Sequence, residues 1–510
     1  MSRAKVLLVA IIGTFMVILD ATIVNIALPH IIAVFNDTVD KAQLVVSAYL
    51  MATGIGAPLA PFLATRFGMK RVYLLFQAGF LAGSVLCGFA WSTNMLVVFR
   101  IIQGFCGGLL SPLTMTFLFV NVPEKERGTA MALFGIPLML APAIGPTLGG
   151  WLVDNWGWRM VFYVNVPVVT AALFMGLAWI SETPTHKMTL DYKGFLLAAL
   201  GFSAVLWALS YAPTWGWTDS RVMSLMVLGI ISLAAWVIME LREKAPLLNL
   251  RIFGYGGYSL ATGVSFITTI GLFSVIFLLP LFLQNVRGLP AFNTGLLLLP
   301  GAIGSMITMP VSGFLYDRVG PRIPVLAGLA ITGLASLSLQ SVDVTTPDSQ
   351  LQLILLARGM GMGLAMMPVF TYALASVPQV LTAQASSLTN VSRTIFASLG
   401  TAVFASLLDN FQKVNLATLV QTATPDSPVT MQVLSTVQVL AQQAGLTLEA
   451  ARQAAIALLY QFVTLRASVS AFEEVFVLGA IVAFLGILPA LFLPHGSLSK
   501  RGGSPRGPMA

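Results

Sequence analysis

The sequence predicts an all-α integral membrane protein in which fourteen transmembrane helices form two pseudo-symmetric six-helix bundles plus an inserted pair. Three observations carry that expectation. Of 510 residues, 57% are hydrophobic and only 9% charged, with a mean hydropathy of +0.88. A soluble domain carries roughly 25% charged residues, so this chain has too few polar groups to cover a surface in water. Apolar runs of about 20 residues, the length that spans a bilayer, recur between charged or Pro/Gly-rich breaks. The chain also repeats itself. Phe62-Leu63-Ala64-Thr65-Arg66-Phe67-Gly68 follows the second run, and Phe314-Leu315-Tyr316-Asp317-Arg318-Val319-Gly320 follows the tenth. Arg100 opens a Gly-rich helix ending near Pro112, as Arg358 does for one ending near Pro368.

In order, the first six helices centre near Phe15, Thr53, Ala82, Gly107, Leu140 and Thr170. Two more follow near Gly201 and Ile231, then six near Phe273, Ser305, Gly333, Gly363, Ser398 and Phe484. The expected organisation is a first bundle over 1–183, the inserted helices 7 and 8 over 184–250, a second bundle over 251–496 and a tail over 497–510. Arg3 and Lys5 precede an apolar run from Val6 to about Leu28. That run is too long for the core of a signal peptide and contains Asp20 and Asn25, so it reads as a retained first helix.

Charge position sets orientation. With the N-terminus in the cytoplasm, Lys and Arg concentrate in the inner loops, at Arg66, Lys70, Arg71, Lys125, Arg127, Lys193, Arg242, Arg251, Arg318 and Arg322 among others. Three of the outer charges, Lys413, Arg452 and Arg466, fall in one long loop, which the positive-inside rule discounts. Both termini are expected inside, and the formal charge of +8 is a topology signal rather than a nucleic-acid footprint. Cys87 and Cys106 lie in apolar runs and the three histidines do not cluster, so neither a disulfide framework nor a metal site is expected. No nucleotide loop or catalytic triad is present, which argues against an enzyme, a cofactor and ATP drive. The polar stretch of about 409–471 reads as a long external loop. After a turn-rich break from Thr422 to Pro428 it has helix-forming composition over Ala441 to Arg466. It is either a solvated hairpin or amphipathic helix on the membrane surface, or a lid or docking surface for a periplasmic or cell-wall partner.

Individual residues then suggest a mechanism. Asp20 sits in the middle of helix 1, where a carboxylate costs a few kcal/mol and usually serves a cavity or a proton path. The alternative is that it only holds Asn25 or nearby backbone. Arg100 cannot lose its proton and must be paired or solvated; it either serves Asp20 or snorkels outward. Helix 5 is dense in Gly135, Pro137, Pro142, Gly145, Pro146, Gly149 and Gly150, which permit close approach and bending. Arg66, Gly68, Lys70 and Arg71, with Gly313, Asp317, Arg318, Gly320 and Arg322, mark two inner loops that either pair across bundles or merely set topology. Met139, Phe273, Phe277, Met306 and Met366 are candidates for a pliable cavity wall.

These residues resemble the major facilitator superfamily, and specifically its fourteen-helix drug:proton antiporters of the EmrB/QacA type. The resemblance covers essentially the whole chain. Leu19-Asp20-Ala21-Thr22-Ile23-Val24-Asn25-Ile26-Ala27-Leu28-Pro29 is similar to the family's first-helix motif. Arg100-Ile101-Ile102-Gln103-Gly104 matches the helix-4 motif, whose Arg is implicated in proton transfer. Gly135 to Gly150, closing on Gly145-Pro146-Thr147-Leu148-Gly149-Gly150, resembles the antiporter motif, and Trp158-Arg159 with Phe162 and Asn165-Val166-Pro167 also fits. One departure stands out: the loop after helix 2 has Pro61 and Thr65 where the family carries Gly and Asp. The second copy, from Gly313 through Asp317 and Arg318 to Gly320, is complete.

The resemblance implies a major facilitator fold with alternating access in the bacterial cytoplasmic (inner) membrane. It implies proton-coupled efflux of lipophilic compounds without a cofactor, and leaves open whether a membrane-fusion protein and outer-membrane channel dock outside. Asp20 is the one acid placed in mid-membrane, with Asp409, Glu473 and Glu474 nearer helix ends. That favours neutral, monocationic or weakly acidic substrates over dications. An exporter of an endogenous lipid, siderophore or metabolite fits the same fold. A passive facilitator or a sensor fits less well, because Asp20 argues against a passive pore.

Overall fold

Long helices account for nearly every apolar run. The computed structural model describes residues 3–37, 39–185, 190–243, 246–422, 428–444 and 447–496. The expected tail over 497–510, with its basic residues, lies outside them, as do Lys187 and Lys244. The first bundle contains α1 (Arg3–Phe35), α2 (Val39–Gly56, continued by Ala60–Phe67), α3 (Met69–Gly88), α4 (Thr93–Asn121), α5 (Arg127–Trp156) and α6 (Asn165–Trp179). The inserted pair is α7 (Tyr192–Trp215) and α8 (Ser220–Arg242). The second bundle contains α9 (Gly256–Leu281), α10 (Ala291–Val319), α11 (Arg322–Ser338), α12 (Asp348–Ala375), α13 (Thr382–Thr422) and α14 (Leu448–Leu485). Thirteen of these are straight enough to count as single spans. The fourteenth, α5, bends by 43° between Arg127–Pro142 and Ile144–Trp156. Pro142 and Pro146 each remove a backbone donor around that break, the usual cause of a sharp kink.

Successive spans alternate in direction, so the starts of α1, α3, α5, α9, α11 and α13 share one face, called here the N-terminal face. The two bundles are packed on one plan. In the first, α4 lies between α2 and α3, α1 lies against α5 and α6, and α3 meets α6. In the second, α12 lies between α10 and α11, α9 against α13 and α14, and α11 against α14. Helix association in lipid depends on close packing rather than on hydrophobic expulsion, and glycine supplies the closeness. A methyl on Gly104 would stand 2.5 Å from the Tyr49 carbonyl oxygen, and one on Gly56 equally close to that of Phe105, so α2 and α4 touch backbone to backbone. The repeated loops turn on Gly68 (φ +90°) and Gly320 (φ +87°), a conformation that side chains other than glycine's rarely adopt.

The inserted pair stands beside the seam between bundles. α7 packs on α2 and on α13, α8 packs on α7, and Trp217 Nε1 donates to Ser406 Oγ of α13 at 2.7 Å. On α8, Met223, Val227, Leu228, Ile230 and Ile231 are exposed, as a lipid-facing helix requires.

The stretch over about 409–471 is largely helical: α13 runs on to Thr422 and α14 begins at Leu448, with a further helix at Pro428–Gln443 packed on α14. Asp409, Glu473 and Glu474 therefore lie within long helices rather than at their ends. Hydropathy marks where an apolar stretch ends, but Ala, Leu and Gln continue to favour helix beyond it. No Pro or Gly interrupts 409–422 or 448–470. Thr447 caps the start of α14 by accepting from Ala450 N at 3.4 Å.

Candidate functional site

The first site is assembled around Asp20 of α1. Asp20, Ser84, Arg100, Gln103 and Asn165 are all 0% exposed. Arg100 Nη1 donates to Asp20 Oδ2 in an ion pair, and to Gln103 Oε1 at 2.9 Å. The other carboxylate oxygen, Oδ1, accepts from Gln103 Nε2 at 2.9 Å and from Asn165 Nδ2 at 2.7 Å. Ser84 Oγ ties the two amides together, at 2.7 Å from Gln103 Nε2 and 3.1 Å from Asn165 Nδ2. Arg100 Nε reaches the Val45 carbonyl at 3.3 Å, and its guanidinium lies 3.9 Å from the centre of the Tyr49 ring. Tyr49 is fixed in turn by donating to the Val17 carbonyl at 2.9 Å.

Five helices, α1, α2, α3, α4 and α6, thus converge on one carboxylate. Burial of that kind is tolerated only with full pairing, and removing one partner of a buried ion pair typically costs about 3–5 kcal/mol. Among the described residues, Arg100 Nη2 and Asn165 Oδ1 are buried without a hydrogen-bond partner.

The structure excludes two of the simpler sequence readings. Arg100 does not snorkel, because α4 begins at the Ser92 cap and carries Arg100 two turns inward. Asn25 does not hold Asp20: it is exposed, as is Pro29. Thr22 is half-buried and bonds its own helix, at Leu19 O, 3.0 Å. A methyl on Gly145 would collide with Thr22 Oγ1 and one on Gly149 would meet Ile23 Cγ1 at 2.9 Å, so the α5 glycines press on the first-helix motif. Gly135 faces the second bundle, where a methyl would meet the Met367 sulfur at 2.7 Å and that of Met309 at 2.9 Å. Gly150 has open space around it.

The two inner loops behave differently. In the first, Lys70 Nζ donates to Leu177 O at 2.8 Å, Lys70 N to Glu182 Oε1 at 3.1 Å, and Arg71 Nε lies 3.5 Å from Glu182 Oε2. Arg66 lies over the Phe62 and Phe67 rings, at 5.9 and 5.5 Å. Glu182 follows α6, so these contacts stay within the first bundle and its continuation. In the second loop Asp317 crosses the seam. It accepts from Gly128 N at 2.9 Å, Thr129 N at 3.1 Å and Thr129 Oγ1 at 3.0 Å, at the N-terminus of α5, where a carboxylate is favoured by the helix dipole. A methyl on Gly313 would stand 2.5 Å from Gly128 O, so α5 and α10 touch there. Arg318 stacks on Phe314 at 4.0 Å, and Gly320 lies against the backbone of Gly496.

Other bonds close the same face. Ser387 Oγ donates to Ala57 O at 2.6 Å, Ser386 pairs with Thr116 and donates to Pro112 O at 3.1 Å, and Ser111 Oγ donates to Asn390 Oδ1 at 3.0 Å. All these residues lie in the halves of α2, α4, α5, α10 and α13 that point toward the N-terminal face. The outer halves of α5 and α10 meet through apolar packing, with Ile144, Thr147, Leu148, Trp151, Phe292 and Leu299 lining a shallow groove.

The cavity candidates scatter. Met139 and Met366 are buried in the core at 8% and 3% exposure, Met306 is half-buried, and Phe277 is exposed. The Phe273 side chain lies outside the described residues. Residues that the sequence reading passed over include Tyr49, Ser84 and the polar run Ser386–Asn390. Asn165 was noted only as part of a motif. Polar side chains interrupting apolar runs were the available signal.

The profile of the Major Facilitator Superfamily matches residues 10–401. An uncharacterised MFS-type transporter of Bacillus subtilis (strain 168), YhcA, is 33% identical over 493 residues, covering 96% of this chain and 92% of that relative. The multidrug resistance protein B homolog of Mycobacterium tuberculosis (strain ATCC 25618 / H37Rv) is 32% identical, covering 78% and 75% respectively. Among solved structures, the proton:xylose symporter XylE superposes with a TM-score of 0.57 at 14% identity, covering 97% of this chain and 96% of that one, which supports the fold alone. The chain belongs to the major facilitator superfamily. It is a multi-pass membrane transporter and not an enzyme, and its similarity to multidrug resistance proteins supports drug efflux.

Proposed function

We propose that this chain is a proton-coupled antiporter that exports lipophilic compounds across the cytoplasmic membrane by alternating access. The observation that carries the reading is the fully buried Asp20–Arg100 pair. A protonated Asp20 gives up its ion pair, which leaves Arg100 uncompensated in a low-dielectric interior. The cheapest response is movement of α1 relative to α4, and α1 bears directly on the glycine face of α5. Proton uptake at Asp20 thereby biases how α5 meets α10 at the seam. A proton moving down the membrane potential supplies about 2.3 kcal/mol per 100 mV for such a cycle.

Basic residues at the N-terminal face, among them Lys70, Arg71, Arg242, Arg251 and Arg322, orient that face to the cytoplasm. On that orientation the bonds from Asp317, Ser386, Ser387 and Asn390 close the cytoplasmic side. The reading is tested in proteoliposomes with an imposed pH gradient and a fluorescent lipophilic dye. Wild-type protein should move dye against its gradient and stop when a protonophore is added. Dye movement unaffected by the protonophore contradicts proton coupling.

A further inference from the structure

Of the arginines within the second bundle, one is left with almost nothing to bind. Arg358 is 6% exposed and donates to Ser336 Oγ at 3.2 Å and Gly271 O at 3.0 Å. Arg393 of α13 is half-buried. Among the described residues its guanidinium has one long contact, 3.5 Å from Nη2 to Asn390 Oδ1, and no ion-pair partner. Asn390 fixes which way that face of α13 looks. Its Oδ1 accepts from Ser111 of α4 and its Nδ2 lies 3.4 Å from Met115 Sδ, so the face meets the first bundle. Arg393 stands one turn along, about 5 Å beyond the bonds that close the N-terminal face. Beyond it, no hydrogen bond joins the two bundles among the described residues. One turn further, Phe396 packs edge-on against Phe266 of α9 at 4.8 Å, so apolar surface adjoins the cation.

A guanidinium carries five donors in a planar fork suited to a carboxylate or sulfonate. Held in a bundle interior it is costly until an anion or several acceptors meet it. Among the described residues the membrane-buried carboxylate on the facing bundle, Asp20, is already taken by Arg100, so it is not available to Arg393. We propose that Arg393 receives the anionic group of an amphiphilic substrate, a carboxylate or sulfonate on a lipophilic body, and so makes organic anions preferred cargo. This rests on the export reading above and names the substrate class for it.

The test uses the purified full-length chain and three pyrene probes that differ only in their end group: pyrenebutyrate, pyrenebutanol and pyrenebutylammonium. Binding is read by fluorescence titration, with thermal unfolding as a check on each variant. Wild type should bind the carboxylate about tenfold more tightly than the alcohol, the ammonium weakest of all, as a charge-assisted contact predicts. Arg393→Gln should bring carboxylate and alcohol to within about threefold while leaving the alcohol unchanged, and Arg393→Lys should keep most of the preference. An Arg393→Gln protein that still prefers the carboxylate overturns the proposal. So does a wild type that binds the ammonium as well as the carboxylate, or that binds none of the three. Should Arg393→Gln fail to fold, the wild-type series still decides. Gradient-driven flux is scored separately. Anion preference without proton drive sinks the coupling and spares the subsite, and proton drive without anion preference does the reverse.

Discussion

In the first bundle Arg100 of α4 holds Asp20 of α1; at the matching place in the second, Arg358 of α12 reaches, among the described residues, the Gly271 carbonyl of α9 and a serine hydroxyl. The serines correspond too, for Ser84 and Ser336 each stand sixteen residues past the loop glycines Gly68 and Gly320. The carboxylate is the member that was not repeated. The inner loops show the opposite asymmetry. The first has Thr65, whose hydroxyl bonds back to Pro61 O at 2.8 Å, and its charges are tied to Glu182. The second has Asp317, which reaches across to α5. One repeat therefore keeps its acid buried inside its own bundle, and the other keeps its acid at the seam between bundles. The comparison teaches that a duplicated scaffold can place its acids differently in its two halves while preserving the packing of both.

The sharpest way to break that contrast is to remove each arginine. Arg100→Ala leaves Asp20 buried and unpaired and should cost about 3–5 kcal/mol. Arg358→Ala leaves only neutral acceptors behind and should cost about 1–3 kcal/mol. Thermal unfolding of the two purified variants measures the difference, and equal losses would erase the distinction between halves. The gate comes next. Asp317→Ala removes the acceptor for two backbone N–H groups and a hydroxyl, about 1–3 kcal/mol, which shifts a two-state closure by roughly 5- to 150-fold. Labelling of a cysteine placed at the seam should rise accordingly, whereas Glu182→Gln on the first loop should leave it unchanged.

Smaller effects sharpen the picture of how α1 and α5 communicate. Gly145→Ala should impair transport because its methyl collides with Thr22. Gly150→Ala meets nothing and should be neutral or up to about 1 kcal/mol stabilising through helix propensity. Transport and unfolding assays on the pair separate contact from propensity. The smallest change expected is for Thr65→Asp. With the first loop already tied to Glu182, restoring an acid there should alter the transport rate by less than about twofold.

Much of this was legible from residues alone because membranes punish charge. Asp20 and Arg100 stood out against apolar runs, and the prolines of α5 announced its kink. Asn165 and Ser84 were harder to read, since small polar side chains are common in transmembrane helices and the Asn165 contact with Asp20 joins residues far apart in sequence. The partner of Asp317 is chiefly backbone N–H at Gly128 and Thr129, which has no sequence signature at all. The helix-forming composition over 441–466 was readable, but how far α13 continues past its apolar run was not, because apolar length and helix length are set by different forces. The bias of basic loops pointed to one face, and the fold places those loops together.

The central claim is that Asp20 carries the proton that drives the cycle. It is tested most directly by comparing two fluxes of Asp20→Asn in the same proteoliposomes: dye accumulation driven by a pH gradient, and dye-for-dye exchange without one. Asparagine fixes the site in a neutral form while filling the same space between Arg100, Gln103 and Asn165. The account predicts that gradient-driven accumulation disappears while exchange continues. Accumulation by Asp20→Asn equal to that of the wild type would contradict it.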